Sequence, residues 1–231
     1  MQTLLAAIKS LTLWGRISAS GSSPRVVEKR AAYFPLVGLI VGLLLGVSHY
    51  VLAPYLEPEI LNIVIISLWI SATGAMHLKG LKDTFDAFEK QDGQSNGTLG
   101  ITAVLIVILL KSAALNSMDE MLTLSLLLSP LFARWAALLF FFGYNTRFDE
   151  ATRGIAQHTS IWPVLASTAA TLALALYFLG RKGLWITLIL SLFTLSLRAL
   201  LHRGHSMVSN SNVDAVVELT EVLSLILLAS L

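Results

Sequence analysis

The feature that most constrains this chain is a series of seven long apolar segments separated by short polar connections. A helix needs about 20 residues to cross the hydrocarbon core of a bilayer, and each segment is close to that length. Inside a bilayer only helices and closed barrels satisfy their own backbone hydrogen bonds. We therefore predict an all-α, polytopic integral membrane bundle with about six or seven transmembrane helices. The segments are Tyr33–Val51, Glu59–Met76, Leu99–Leu115, Met121–Gly143, Ile161–Gly180, Gly183–Leu201 and Val213–Leu231.

The composition also indicates that lipid is the main solvent of this chain. Of its 231 residues, 55% are hydrophobic and 13% are charged, whereas about 25% are charged in ordinary soluble domains. Cysteine is absent, which excludes disulfides and thiolate metal sites. The net charge of +2 is too small to indicate a nucleic-acid partner. We expect one domain over residues 1–231, in which residues 1–32 form a cytoplasmic or interfacial segment.

The distribution of Lys and Arg predicts the orientation of the bundle. Loops on the cytoplasmic side of a membrane protein carry an excess of these residues. If the N-terminus is cytoplasmic, only Arg181 and Lys182 lie on the outer side. This arrangement places the regions His77–Asn96, Tyr144–Ser160 and His202–Asp214 on the cytoplasmic face of a bacterial inner membrane. The basic residues on that face are Lys9, Arg16, Arg25, Lys29, Arg30, Lys79, Lys82, Lys90, Arg147, Arg153 and Arg203.

The densest polar cluster follows the second apolar segment. If this region is helical, Asp83 and Asp86 lie three residues apart and share a face. Paired carboxylates at a membrane surface can hold Mg²⁺, which prefers carboxylate and phosphate oxygens. An alternative is that these charges only form exposed salt bridges at four-residue spacing, Lys79 with Asp83 and Asp86 with Lys90. The spacing alone is compatible with both.

Ionisable residues also occur inside the apolar segments. Arg134 lies in the middle of one, where a charge is costly unless it faces the bundle interior or an aqueous cavity. It could grip a phosphate or pair with a carboxylate. Asp214, Glu218 and Glu221 share one face of the last segment and are candidates for function, although a helix that starts outside the bilayer would also explain them. Lys111 could extend to an interface.

Three stretches of the sequence resemble the cobalamin synthase family. Tyr33–Gly42 resembles its Phe-Pro-Leu-x-Gly-x-x-x-Gly signature, and Gly74–Asp86 resembles Gly-Gly-x-His-Leu-Asp-Gly-Leu-Ala-Asp-Thr-x-Asp. Gly97–Gly100, followed by an aliphatic run to Lys111, resembles Gly-x-x-Gly and the third span. The order of the spans and the position of Arg134 also agree. The resemblance therefore covers nearly the whole chain.

The resemblance implies a membrane-embedded adenosylcobinamide-GDP ribazoletransferase that acts late in vitamin B12 biosynthesis. Such an enzyme joins adenosylcobinamide-GDP to α-ribazole, or to its 5′-phosphate, and releases GMP with the help of Mg²⁺. At the matching positions Asp83 and Asp86 would be metal ligands, His77 would assist positioning or proton transfer, and Arg134 would contact phosphate. The other residues expected to contribute to binding are Gly80, Thr84, Gly97, Gly100, Arg203 and Glu218.

The chain departs from the family pattern at several acidic positions. Lys79 stands where the family has Asp, Gly93–Ser95 replaces Asp-Ser-Arg, and Ser211 replaces the Asp of the late motif, three residues before Asp214. Each lost carboxylate weakens a Mg²⁺ site. A non-catalytic relative that serves as a membrane scaffold or subunit for corrinoid-pathway enzymes is therefore an alternative, and a small transporter is another. Both an active family member and a non-catalytic relative could form a homo-oligomer or a complex with enzymes of that pathway.

Overall fold

In the computed structural model, residues 33–91, 96–142, 161–204 and 209–231 are described, and their regular secondary structure is helical. The N-terminal segment 1–32, the altered motif at Gly93–Ser95, the loop between the fourth and fifth apolar segments and residues 205–208 lie outside these residues. The helices are α1 (Phe34–Leu52), α2 (Pro58–Thr73), α3 (Met76–Gln91), α4 (Thr98–Asn116), α5 (Leu122–Phe141), α6 (Ile161–Leu179), α7 (Arg181–Gly204) and α8 (Asn210–Ala229).

The all-α, polytopic membrane architecture is confirmed. Among the described residues, α1, α4, α5 and α7 are long and apolar enough to cross a bilayer, and the bent pair α2–α3 counts as a fifth candidate. The other two predicted segments correspond to α6 and α8. In α6 the qualifying apolar stretch, Val164–Leu179, is shorter than a full span. Helix α8 is less apolar because it contains three acidic residues, Asp214, Glu218 and Glu221.

The second predicted segment ends earlier than the sequence indicates. Gly74 and Ala75 adopt left-handed backbone angles, with φ of 63° and 56°, and their amides bond the last carbonyls of α2. Glycine adopts this conformation without steric cost, which makes it a common residue after a helix. Helix α3 then leaves at 82° to α2. The bend therefore separates the polar sequence of α3 from the apolar span that precedes it.

Helices α5 and α8 form the centre of the bundle. Helix α5 is buried on almost all sides, including Phe132, Trp135 and Phe140, and it contacts α1, α6, α7 and α8. Helix α8 also packs on α3, α4 and α7. By contrast, α4 and α7 leave large apolar side chains such as Leu109 and Leu192 exposed, at 67% and 57%. In a membrane protein these outer surfaces face lipid.

Close approach of α1 to α5 depends on two glycines. A Cβ atom at Gly38 would overlap the carbonyl oxygen of Pro130, and one at Gly42 would overlap that of Leu127. Small residues at four-residue spacing allow the backbones of membrane helices to touch. One turn further on, a Cβ at Gly46 would lie 3.6 Å from Thr123, which is ordinary contact.

We expect Gly42→Ala to lower the thermal unfolding midpoint of detergent-purified protein. The added methyl group must push α1 away from α5, and such overpacking costs about 1–3 kcal/mol, or about 2–12 °C in a chain of this size. The matched control is Gly46→Ala, which adds the same methyl group where space exists. Equal midpoints for the two variants would show that α1 and α5 do not pack as closely as described.

Candidate functional site

Helix α3 presents two different faces. One is buried against α8, as expected for an amphipathic helix at the edge of a bundle. The other carries two lysines and two aspartates at positions i, i+3, i+4 and i+7, which place them on one side of a helix. We call this second set the charged stripe. The buried face includes His77, Gly80, Leu81 and Thr84, and the charged stripe consists of Lys79, Lys82, Asp83 and Asp86.

The buried face brings three of the predicted residues onto α8. His77 is fully buried, and its Nδ1 lies 2.7 Å from Oδ1 of Asp214. Thr84 Oγ1 accepts a hydrogen bond of 3.2 Å from the side-chain amide of Asn212. Gly80 touches α8 so closely that a Cβ there would overlap the Cβ of Asp214. His77, Gly80 and Thr84 therefore hold α3 in a defined position on α8.

The charged stripe consists of two ion pairs. Lys79 pairs with Asp83, and Lys82 pairs with Asp86. The Lys79–Asp83 pair matches the salt-bridge alternative predicted from the sequence. The alternative also assigned Asp86 to Lys90, whose side chain lies outside the described structure, and here Lys82 is its partner.

Asp86 also connects α3 to the start of α4. Its Oδ1 accepts a hydrogen bond of 3.0 Å from the backbone N–H of Gly100, in the first turn of α4. A carboxylate is favoured there because the first amides of a helix lack partners within the helix. A Cβ at Gly100 would overlap the Asp86 carboxylate, and Gly97 caps α4 with a left-handed φ of 68°. The Gly-x-x-Gly sequence therefore permits this contact.

By themselves, the described side chains do not complete the predicted Mg²⁺ site, to which α3 brings the two carboxylates of Asp83 and Asp86. In the described part of the chain, no three His, Asp or Glu side chains come close enough to share a metal ion. Asp83 and Asp86 are each bonded to an ammonium group, and the charged stripe as a whole is neutral. A divalent cation binds most tightly where several carboxylates leave an excess of negative charge.

A second set of charges lies deeper in the bundle, and we call it the buried ionic cluster. Lys111 on α4 donates hydrogen bonds to Glu218 at 2.7 Å and to Glu221 at 2.6 Å. Arg134 on α5 donates to the other oxygen of Glu221, as does the indole N–H of Trp69 at 3.2 Å. These four ionisable residues are at most 3% exposed. Two cations and two anions thus neutralise each other.

The cluster gives Arg134 and Glu218 surroundings different from those expected for substrate contacts. Both are buried with partners inside the bundle, which favours the pairing alternative for Arg134. Arg203 belongs to α7, and its side chain lies outside the described structure. Asn212 was not among the predicted residues, and Glu221 was a candidate only through its place on the acidic face of the last segment, without a partner. The available signal was that two basic residues within apolar segments require acidic partners, and the last segment supplies them.

Comparison with known proteins agrees with the motifs on α1, α3 and α4. The sequence pattern of the cobalamin-5-phosphate synthase family matches residues 3–229. The chain belongs to this family.

Proteins named adenosylcobinamide-GDP ribazoletransferase are among its relatives. The relative of this name from Geotalea daltonii is 28% identical, and the alignment covers 87% of this chain and 85% of the relative. A relative from Pseudomonas putida is 30% identical, with 87% of each chain covered. A third, from Pseudomonas fluorescens, is 27% identical, with 95% of this chain and 99% of the relative covered. No solved structure matches the chain significantly.

We expect Glu221→Gln to destabilise this family member strongly. The amide cannot balance the charges of Lys111 and Arg134, and breaking a buried ion pair costs about 3–5 kcal/mol. Thermal unfolding in detergent measures the loss, and Glu59→Gln on the exposed start of α2 is the matched control. If the Glu221 variant unfolds at the same temperature as that control, the buried ionic cluster does not stabilise the bundle.

Proposed function

We propose that the chain is an adenosylcobinamide-GDP ribazoletransferase of the bacterial inner membrane. The observation that carries this proposal is membership of the cobalamin-5-phosphate synthase family over residues 3–229. The relatives carry the name of this activity. The charged stripe of α3, moreover, lies at a surface that a soluble nucleotide could reach.

In the proposed reaction, a free ribose hydroxyl oxygen of α-ribazole, or of its 5′-phosphate, attacks the cobinamide-linked phosphorus of adenosylcobinamide-GDP. A new P–O bond forms, the bond to the bridging oxygen of the diphosphate breaks, and GMP leaves with that oxygen. The hydroxyl proton is released to solvent or to GMP. The product is adenosylcobalamin or its 5′-phosphate. Most of the catalysis in such a transfer comes from positioning the groups and from stabilising charge.

The residues of α3 have separate roles in this proposal. The charged stripe forms the surface on which the diphosphate binds, and Asp83 and Asp86 belong to it. The buried contacts of His77, Gly80 and Thr84 fix the position and rotation of α3 on α8, and therefore the position of that surface. The complete burial of His77 supports a positioning role for this residue over direct proton transfer.

We further propose that the charged stripe faces the cytoplasm, where the nucleotide substrates are found. The excess of basic residues on this side of the bundle supports that orientation.

Single cysteines introduced into this cysteine-free chain test the orientation. Asn96, between α3 and α4, and Tyr55, between α1 and α2, are both exposed. We expect a membrane-impermeant maleimide to label Tyr55→Cys in intact spheroplasts and Asn96→Cys only after lysis. Labelling of Asn96→Cys in intact spheroplasts, with Tyr55→Cys protected, would place the charged stripe on the outer face and contradict the enzymatic proposal.

The activity is tested by GMP release from adenosylcobinamide-GDP and α-ribazole by the purified, detergent-solubilised chain. We expect Asp83→Ala and Asp86→Ala each to lower the turnover about tenfold or more, because each carboxylate holds the ammonium group of Lys79 or Lys82 in place on the diphosphate surface. Asp119→Ala, between α4 and α5 and exposed, is the matched control and keeps the full rate. Equal rates for all three variants would show that the charged stripe of α3 is not part of the active site.

The same assay separates the enzyme from the non-catalytic relative. A chain that is folded and binds the nucleotide but releases no GMP acts as a scaffold or subunit. A complex with corrinoid-pathway enzymes, detected by co-purification of the tagged full chain, would then identify its role.

A further inference from the structure

We propose that the ammonium groups of Lys79 and Lys82 bind the substrate diphosphate directly and take the place of a divalent cation in this chain. The inference rests on the proposed function for the identity of the natural ligand. Its physical basis is the pairing, spacing and exposure of the charged stripe on α3.

The first observation is that both candidate metal ligands are already neutralised from within the same helix. Lys79 lies four residues before Asp83, and Lys82 lies four residues before Asp86, so that each ammonium sits against the carboxylate one turn later. In the family motif that α3 resembles, the positions of the two lysines are Asp and Ala. This chain therefore has two additional positive charges and one fewer negative charge on the same face.

The second observation is the net charge that a ligand would meet. The two lysines and two aspartates of the charged stripe sum to zero, so a bare divalent cation gains little from binding there. A diphosphate is different, because it carries several negative charges and gains from two ammonium groups. Lysine is a common phosphate-binding residue because it provides a compact charge with three hydrogen-bond donors.

The third observation is that both ammonium groups are accessible. The side chain of Lys79 is 69% exposed and that of Lys82 is 41% exposed, whereas Asp86 is only 13% exposed. Exposed ion pairs contribute little to stability, so a diphosphate can replace Asp83 as the partner of Lys79 at little cost. Asp86 does not lose all of its contacts when Lys82 binds the diphosphate, because the Gly100 amide still donates to it. The aspartates therefore hold the lysines in place until the ligand binds.

The experiment measures binding and turnover separately, each in EDTA and in millimolar Mg²⁺. The binding probe is GDP, titrated calorimetrically into the purified full chain. We expect GDP to bind in EDTA about as tightly as in Mg²⁺. Lys79→Gln and Lys82→Gln should each weaken binding by about ten- to a hundredfold, as expected when a charged hydrogen-bond donor is lost.

Two sets of variants separate charge from structure. Lys79→Arg and Lys82→Arg keep the positive charge, and we expect them to retain GDP binding within about threefold of the original chain. Lys182→Gln removes a lysine at the start of α7, where its ammonium donates to the Leu231 carbonyl, and should leave binding and turnover unchanged. Lys79→Asp should weaken binding in EDTA, and added Mg²⁺ should recover part of the loss.

The outcomes distinguish this inference from the proposed function. Lysine-dependent GDP binding in EDTA without any GMP release would support the inference and overturn the enzymatic proposal. GDP binding that requires Mg²⁺ and is unchanged in the two glutamine variants would overturn the inference, whether or not the chain is active. The absence of GDP binding under all conditions would also overturn it.

Discussion

The arrangement of this bundle depends on the pairing of the buried acids of α8. Both carboxylate oxygens of Glu221 have donors, with Arg134 and Trp69 on one and Lys111 on the other. An ion removed from water without a partner costs several kcal/mol, so α8 can enter the bundle only where α4 and α5 supply cations. This requirement fixes both the depth and the rotation of α8, because no other face of the helix carries these acids.

The position of the candidate site depends on this rotation of α8. Asp214 lies on the same side of α8 as Glu218, one turn earlier, and it reaches His77 on α3. Gly80 lets the two helices touch at this point. With one face of α3 held in this way, the other must point outward, and the charged stripe lies there. The polar surface of the site is thus positioned by charges that a soluble ligand does not touch.

The family resemblance and the charges of this chain give different information. Membership of the cobalamin-5-phosphate synthase family gives the scaffold and the class of reaction. At residues 79 and 82 this chain has lysine where the family motif has Asp and Ala. Lysine is a good helix former, so its presence changes the electrostatics of the stripe without disturbing the backbone of α3. The binding proposed for these ammonium groups would neutralise a diphosphate without a change in the scaffold.

What the sequence determined by itself was the position of the long apolar helices and the charge of their connections. The helix α4, for example, begins at Thr98 and ends at Asn116, within one residue of the predicted Leu99–Leu115. Hydropathy predicts such boundaries because transfer of a segment into lipid depends on its own residues. Where the second segment ends was less predictable, since the bend at Gly74–Ala75 depends on how α3 packs.

Only the tertiary structure decided which charges on different helices meet. Helical spacing places Asp214, Glu218 and Glu221 on one face, but it cannot say which helix that face contacts. It could not distinguish Arg134 as a phosphate ligand from Arg134 as the partner of Glu221. Contacts between residues more than 80 positions apart depend on packing among all the helices, whereas hydrophobicity and helical periodicity are local properties of the chain.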